Sequence, residues 1–235
     1  MEWWKFLILI IGSYLIGNIF FAKIISRAKR FDISKAGSGN PGTMNMLRNL
    51  GLGVGLLTLF LDMLKGIIPA LAGYYLFGGA SAGQTAYIGL FTGGLSALVG
   101  TIFPVFYRFN GGKGVALVYG MFCVASPLTG VIIFLCGIIY LLIFDYASLM
   151  SFTVLTVFTI YEAYTLGLMT GNGNLVLSCL LFVIFALVWF AHRKNIFRLL
   201  VGRENRANFR KSLSKLNKKK LSKSQKEELK NKEIG

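Results

Sequence analysis

The sequence predicts an all-α, polytopic integral membrane protein with about seven transmembrane or partly spanning helices. Of its 235 residues, 55% are hydrophobic and only 14% are charged, whereas an average soluble domain is about 25% charged. Several apolar stretches approach or exceed the roughly 20 residues that a helix needs to cross a bilayer core. The net charge of +16 would suggest a nucleic-acid partner for a soluble chain. The apolar stretches argue against a soluble fold, and no nucleic-acid partner is predicted.

The positive charge is concentrated at the C-terminal end of the chain. From His192 onward the sequence contains 15 basic and 4 acidic residues. Residues 205–235 are rich in Lys, Asn, Ser and Glu, a composition with little apolar surface to bury. We therefore predict a membrane-embedded domain over residues 1–204 and a basic cytoplasmic tail over 205–235. The tail is either a solvated extension or an anchor to anionic lipid head groups.

The first three spans are predicted at residues 3–25, 52–77 and 84–106. The first begins with two tryptophans, which favour the membrane interface, and five basic residues occur at positions 23–35. Cytoplasmic loops carry an excess of Lys and Arg. This flank is therefore predicted to be cytoplasmic, with the N-terminus outside and the C-terminus in the cytoplasm.

Three apolar blocks remain, at residues 115–144, 146–169 and 174–191. Three more crossings would leave the basic end outside, against the positive-inside rule. The first block contains Ser126-Pro127, and proline interrupts a helix because it lacks an N–H donor. We predict that this block is either two shortened helices, with or without a re-entrant one, or a hairpin with unequal arms. Five crossings are the alternative.

The first cytoplasmic loop contains a glycine-rich motif at residues 37–51. Its glycines and proline favour turns with free backbone N–H groups, and Thr43 is a candidate cap for a short helix. Ser38 offers a hydroxyl, while Asn45 and Arg48 are three residues apart and share a helix face. Free N–H groups, a hydroxyl and an arginine suit a phosphate group. The alternative is an ordinary turn followed by an interfacial helix.

The second cytoplasmic loop places three glycines around one lysine, in Gly111-Gly112-Lys113-Gly114. Glycines let the backbone approach a ligand closely, and the lysine supplies positive charge. The spacing is not that of a nucleotide-binding P-loop, so no nucleotide is predicted. The alternative is a flexible turn at the membrane edge.

The third cytoplasmic motif begins at His192, the one histidine of the chain. His192 and Asn195 are three residues apart and share a helix face. A single histidine has no partners for a metal site, so no metal is predicted. The alternative is a polar helix cap with basic side chains that snorkel toward the membrane surface.

Two opposite charges, Asp62 and Lys65, fall inside the second predicted span. Charges within a membrane are costly and usually functional. These two are three residues apart and can neutralise each other on one helix face. We favour a structural pair that stabilises a kink near Pro69.

The three motifs, in this order and spacing, resemble the bacterial acyl-phosphate:glycerol-3-phosphate acyltransferase family, the PlsY family. The family motifs correspond to residues 37–51, 109–116 and 192–204, and a further family stretch matches Leu61-Asp62-x-x-Lys65-Gly66. The resemblance implies an enzyme of phospholipid biosynthesis in the bacterial cell membrane, with its active site facing the cytoplasm. It implies transfer of a fatty acyl group from acyl phosphate to the 1-hydroxyl of glycerol 3-phosphate. The products would be lysophosphatidic acid and phosphate.

Residue roles are carried over from the family motifs position by position. The resemblance implies that Ser38, Arg48 and Lys113 bind phosphate groups. It implies that His192 and Asn195 hold and polarise the glycerol part, with Ser38 as the third catalytic residue. The other implied substrate-binding residues are Gly39, Asn40, Gly42, Asn45, Gly111 and Gly112. The substrate's own phosphate would serve as the base, and no cofactor is implied. The implied partners are glycerol 3-phosphate, acyl phosphate and membrane lipid.

Some positions depart from the family pattern. Thr101 stands where the family usually has histidine, and Asn18 and Phe20 replace the Ser and Pro of an early Gly-Ser-Ile-Pro stretch. Two alternative functions are a family paralogue with an altered substrate and a non-enzymatic membrane transporter or scaffold. A transporter should carry broken or polar segments at the midplane of both halves. Here the polar groups gather at one face.

Overall fold

Every regular element in the described part of the chain is a helix. A computed structural model describes residues 2–169 and 173–214. The principal helices are α1 (Trp3–Gly17), α2 (Phe21–Ala28), α3 (Thr43–Leu50), α4 (Leu52–Leu76), α5 (Gln84–Ile102), α6 (Val115–Ala125), α7 (Pro127–Phe144), α8 (Ala147–Thr165), α9 (Leu175–Ala191) and α10 (Arg193–Leu200). The predicted basic tail lies outside the described residues from position 215 onward.

The helix lengths confirm a multi-pass membrane fold. Within the described residues, five segments are long and apolar enough to cross a membrane. Helices α9 and α10 are bent by 55° and form a sixth candidate when counted together. Helix α6 is apolar but, at 11 residues, shorter than a span. With this short helix included, the count agrees with the predicted seven transmembrane or partly spanning helices.

The predicted break at Ser126-Pro127 separates helix α6 from helix α7. Pro127 is the first residue of α7, where a missing N–H donor costs no helical hydrogen bond. Helix α6 has 11 residues and α7 has 18. The block 115–144 is therefore two helices of unequal length.

The candidate spans Trp3–Ala28 and Gln84–Tyr107 match the spans predicted at residues 3–25 and 84–106, and each contains a short break. Helix α1 ends at Gly17 and α2 begins at Phe21, so the break in the first span lies at residues 18–20. The Asn18 side chain donates to the carbonyl of Tyr14 at 2.7 Å and covers the end of α1. Helix α5 ends at Ile102, just before Pro104, which disfavours a helical residue in front of it.

Close helix contacts centre on α5 and α4. A Cβ atom at Gly73 would lie 2.0 Å from the carbonyl oxygen of Gly89, and one at Gly66 would lie 1.9 Å from that of Leu117. Small residues allow membrane helices to approach this closely. Gly66 thus brings α4 directly against α6, the helix that follows the second motif. Large apolar side chains such as Leu128 and Ile143 of α7 are exposed, as a lipid-facing surface requires.

Candidate active site

The three sequence motifs meet around one cavity of about 240 Å³. Nine of the eleven predicted site residues line it. They are Ser38, Asn40, Gly42, Asn45, Arg48, Gly112, Lys113, His192 and Asn195. The other two, Gly39 and Gly111, are chain neighbours of lining residues. The structure therefore assembles the predicted set from three distant segments, while the chemical role of each residue stays a prediction.

Asn45 organises the loop of the first motif. Its side-chain oxygen accepts a hydrogen bond from the backbone N–H of Ser38 at 3.2 Å. Its Nδ2 donates to the carbonyls of Ala36 at 2.9 Å and Ile33 at 3.3 Å. Asn45 is buried, so these contacts hold the Ser38 segment against helix α3.

The predicted cap of helix α3 is wrong. Gly42 is the N-cap residue, and Thr43 is already the first residue of the helix. The Thr43 hydroxyl is buried and has no hydrogen-bond partner among the described residues. Other atoms of Thr43 line the cavity.

The second motif is anchored to the end of helix α5. The N–H of Gly112 donates to the carbonyl of Thr101 at 2.9 Å. The Thr101 hydroxyl in turn donates to the carbonyl of Gly17 at 2.9 Å. Gly114 has φ +73°, a left-handed conformation that glycine adopts without steric cost, and it leads into helix α6. Thr101, one of the departures from the family pattern, therefore connects the α1 break to the motif loop.

Lys113 lies in a partly desolvated and strongly charged environment. Burial lowers the pKa of Lys113 to about 8, Glu204 raises it, and the positive charges of Arg198 and Arg48 lower it further. A cation that burial makes costly to keep charged is strongly stabilised by a neighbouring anion. The cavity wall formed by Lys113, Arg48 and Arg198 is therefore suited to a phosphate.

His192 is almost completely buried at the end of helix α9. Its Nδ1 lies 2.8 Å from the carbonyl oxygen of Val188. Since a carbonyl only accepts, Nδ1 carries the hydrogen in this contact and Nε2 is left as an acceptor. Burial and then the charge of Lys113 lower the pKa of His192 to about 4. The imidazole is therefore neutral near pH 7 and is a weak base.

Glu204 connects the residues of the third motif, which the motif spacing did not reveal. Its Oε1 accepts hydrogen bonds from Asn195 at 2.6 Å and Ser148 at 3.0 Å. Its Oε2 accepts from Nε of Arg198 at 2.9 Å. The Asn195 amide is thereby oriented, and its Oδ1 is buried without a hydrogen-bond partner in the described residues. The sequence signal for this residue was a single acid, Glu204, at the end of the basic motif at residues 192–204.

The predicted pair of Asp62 and Lys65 also lies at the cavity. Both residues line it, and Lys65 Nζ is 3.9 Å from Asp62 Oδ1. That separation is a loose ion pair rather than a hydrogen bond. The rest of this wall is apolar, with residues that include Leu56, Leu59 and Leu117. One cavity therefore combines a cationic wall with an apolar wall.

A family model described as glycerol-3-phosphate acyltransferase matches residues 7–202. The chain belongs to this family. It is 41% identical over 202 residues to the glycerol-3-phosphate acyltransferase of Aquifex aeolicus, covering 86% of this chain and 99% of that protein. It is 38% identical over 199 residues to the enzyme of Geotalea daltonii, covering 85% and 96%.

Two solved structures of family members have the same fold. One is the integral membrane glycerol 3-phosphate acyltransferase PlsY in its glycerol 3-phosphate form, with 38% identity and a TM-score of 0.71. The other is PlsY in its lysophosphatidic acid form, with 37% identity and a TM-score of 0.72. Each match covers 86% of this chain and 94% of the other. The predicted family, enzyme class and membrane fold are confirmed.

Proposed function

We propose that this chain transfers a fatty acyl group from an acyl phosphate to the 1-hydroxyl of glycerol 3-phosphate. The products are lysophosphatidic acid and inorganic phosphate. The observation that carries the proposal is the convergence of all three motifs on one cavity with a cationic and an apolar wall. The solved relatives in glycerol 3-phosphate and lysophosphatidic acid forms support the acceptor and the product.

Arg48 and Lys113 bind the phosphate of the acceptor in this proposal, with Ser38 as a hydrogen-bond donor. Both cations line the cavity, and the negative charge of Glu204 favours the charged form of each. Hydrogen bonds from charged donors to phosphate are among the stronger ones in proteins. The backbone of Asn40 to Gly42 and of Gly112 lines the same space.

His192 and Asn195 hold the glycerol part by accepting hydrogen bonds from its hydroxyl groups. His192 presents Nε2 because Nδ1 is occupied by Val188. Asn195 presents Oδ1 because Glu204 holds its Nδ2. Two oriented acceptors select one arrangement of the two hydroxyls and bring the 1-hydroxyl to the acyl carbonyl. Such positioning is itself a large contribution to catalysis.

The acyl transfer needs no separate activation of the donor, since an acyl phosphate is a reactive mixed anhydride. The 1-hydroxyl oxygen attacks the acyl carbonyl carbon, the bond from that carbon to the bridging oxygen breaks, and phosphate leaves. The hydroxyl proton passes to the phosphate of the acceptor. His192 is a poor base for this step because its pKa is lowered to about 4. The Ser38 hydroxyl donates a hydrogen bond to the phosphate beside the reacting groups.

The enzyme lies in the bacterial cell membrane with the cavity open to the cytoplasm. The motif loops and the segment after His192 carry basic residues, which the positive-inside rule places in the cytoplasm. Basic loops also attract two anionic substrates toward the membrane surface. The apolar wall adjoins membrane helices, from which a fatty chain can enter.

The direct test is an assay of the purified protein with palmitoyl phosphate and labelled glycerol 3-phosphate. We expect lysophosphatidic acid in stoichiometric amounts with released phosphate. Lys113→Ala should lower kcat/KM at least 100-fold, while the exposed-site variant Lys35→Ala should retain wild-type activity. No lysophosphatidic acid, or equal product from Lys113→Ala, would overturn the proposal. Equal rates with palmitoyl coenzyme A would contradict the proposed donor.

A further inference from the structure

Lys65 is a buried cation that the proposed mechanism leaves without a role. Only 3% of its surface is exposed, and it lines the cavity from helix α4. Its Nζ lies 3.9 Å from Asp62 Oδ1 and makes no hydrogen bond to any other described residue. An ammonium group has three donors, and burying it without hydrogen bonds is costly. The Lys65 ammonium therefore has hydrogen-bond donors that an anion in the cavity could use.

The position of Lys65 differs from that of the cationic group around Lys113. Lys65 lies on helix α4, one turn from Asp62, whereas Lys113 lies in the loop that leads into helix α6. The Nζ of Lys65 lies 5.1 Å from the centre of the Phe20 ring. The same cavity therefore contains a further cation, on helix α4, in addition to those of the motif segments.

The surroundings of Lys65 suit an anion that carries an apolar chain. The next residue, Gly66, packs against the backbone of Leu117, which belongs to the apolar wall. On the other side, Phe20 lies beside Gly112, where an added Cβ would be 3.6 Å from the ring. Lys65 thus lies between the apolar wall and the second motif.

We propose that Lys65 forms a second anion subsite, which binds the phosphate group of the acyl donor and retains the phosphate that is released. The inference rests on the proposed function and specifies its donor site. Two phosphate-bearing substrates must occupy the cavity together, and their mutual repulsion is reduced when each has its own cation. When the bond from the acyl carbon to the bridging oxygen breaks, that oxygen leaves with the phosphate held by Lys65.

The kinetic test compares Lys65→Met with wild type in both substrates. We expect the KM for palmitoyl phosphate to rise at least tenfold and product inhibition by inorganic phosphate to weaken similarly. The KM for glycerol 3-phosphate should stay within twofold. The surface variant Lys35→Met is the matched control. Unchanged KM values, or equal increases for the two substrates, would overturn the subsite.

A binding test separates this inference from the proposed function. Inorganic phosphate is titrated into Lys113→Ala and into Lys113→Ala/Lys65→Met, with thermal unfolding as the readout. We expect saturable stabilisation in the first protein and a clearly smaller one in the second, in which Arg48 still lines the cavity. This result does not depend on turnover. If the wild-type protein makes no lysophosphatidic acid, the proposed function is rejected, and the phosphate titration alone decides whether the subsite exists. Equal stabilisation of both proteins would reject the subsite.

Asp62→Asn keeps the test decisive if Lys65→Met fails to fold. The substitution removes a negative charge beside the subsite and leaves the Lys65 ammonium in place. An anion subsite predicts at least threefold tighter phosphate binding by Asp62→Asn. A purely structural ion pair predicts phosphate binding that is unchanged or weaker.

Discussion

The Nε of Arg48 donates a hydrogen bond to the main-chain carbonyl of Arg206 at 2.8 Å, although 158 residues separate them along the chain. The N–H groups of Ala207 and Phe209 donate to Asp145, at 2.7 Å and 3.2 Å. Residues 205–209, here called the C-terminal strap, therefore connect a predicted phosphate ligand to the turn between α7 and α8. The strap follows the region matched by the family model, which ends at residue 202.

Removing the strap should weaken acceptor binding. A chain that ends at Glu204 loses the carbonyl that orients Arg48, and a hydrogen bond to a charged group contributes about 1.5–3 kcal/mol. We expect the KM for glycerol 3-phosphate to rise about tenfold or more in steady-state kinetics. A chain that ends at Ser214 keeps the strap and is the control. Equal kinetics for the two truncated proteins would show that the strap does not position Arg48.

Binding of glycerol 3-phosphate should weaken at alkaline pH. The pKa of Lys113 is lowered to about 8, so the free enzyme loses this charge as pH rises through 8. The substrate phosphate, with a second pKa near 6, stays dianionic. We expect the KM to rise about five- to tenfold between pH 7 and 9. In Lys113→Arg the charge persists, and initial rates should show a KM that changes less than twofold. The same pH profile in both proteins would contradict the assignment.

Acidification should destabilise the protein through His192. Its folded pKa is lowered to about 4, below the value near 6.5 in an unfolded chain. The unfolded state therefore binds a proton first, and stability is lost as pH falls from about 6.5 to 4. The loss attributable to His192 is at most about 3 kcal/mol. Thermal unfolding at pH 7.5 and 4.5 should show a smaller decrease for His192→Gln, which does not titrate. Equal decreases would exclude His192 as the cause.

Gly66→Ala should disrupt the contact between α4 and α6. The new Cβ would lie 1.9 Å from the carbonyl oxygen of Leu117, so the two backbones would have to separate. We expect a clear fall in thermal stability together with reduced activity, because Lys65 and the second motif lie on either side of this contact. Gly53→Ala is the matched control on the same helix, since its Cβ would have no neighbour within 4 Å. Equal stability of the two variants would contradict this account.

Most residues of the site could be predicted from local patterns in the sequence. Ser38, Arg48, Lys113 and His192 stand in short motifs of polar residues between apolar stretches, and they do converge on one cavity. The sequence also predicted Asp62 and Lys65 as a charge pair within one helix. Their place at the cavity follows from the packing of α4 against α6, which involves residues far apart in the chain.

Predictions from neighbouring residues failed where contacts with other parts of the chain determine the structure. Thr43 is a residue type that often caps helices, yet Gly42 is the N-cap of helix α3. The preceding loop is held by the Asn45 side chain, which accepts a hydrogen bond from the N–H of Ser38. Glu204 is one acid in a basic stretch, and only the fold brings it to Asn195 and Ser148. Side-chain spacing along a helix cannot predict contacts of this kind.

The sequence by itself determined the membrane fold, the break before Pro127 and the three motifs, because hydropathy and proline stereochemistry act over neighbouring residues. The tertiary structure alone decided three things: the orientation of Asn195 by Glu204, the position of Lys65 at the cavity, and the attachment of Arg48 to the strap. Each depends on hydrogen bonds or burial between segments whose separation is set by helix packing. Local sequence patterns carry no information about such distances.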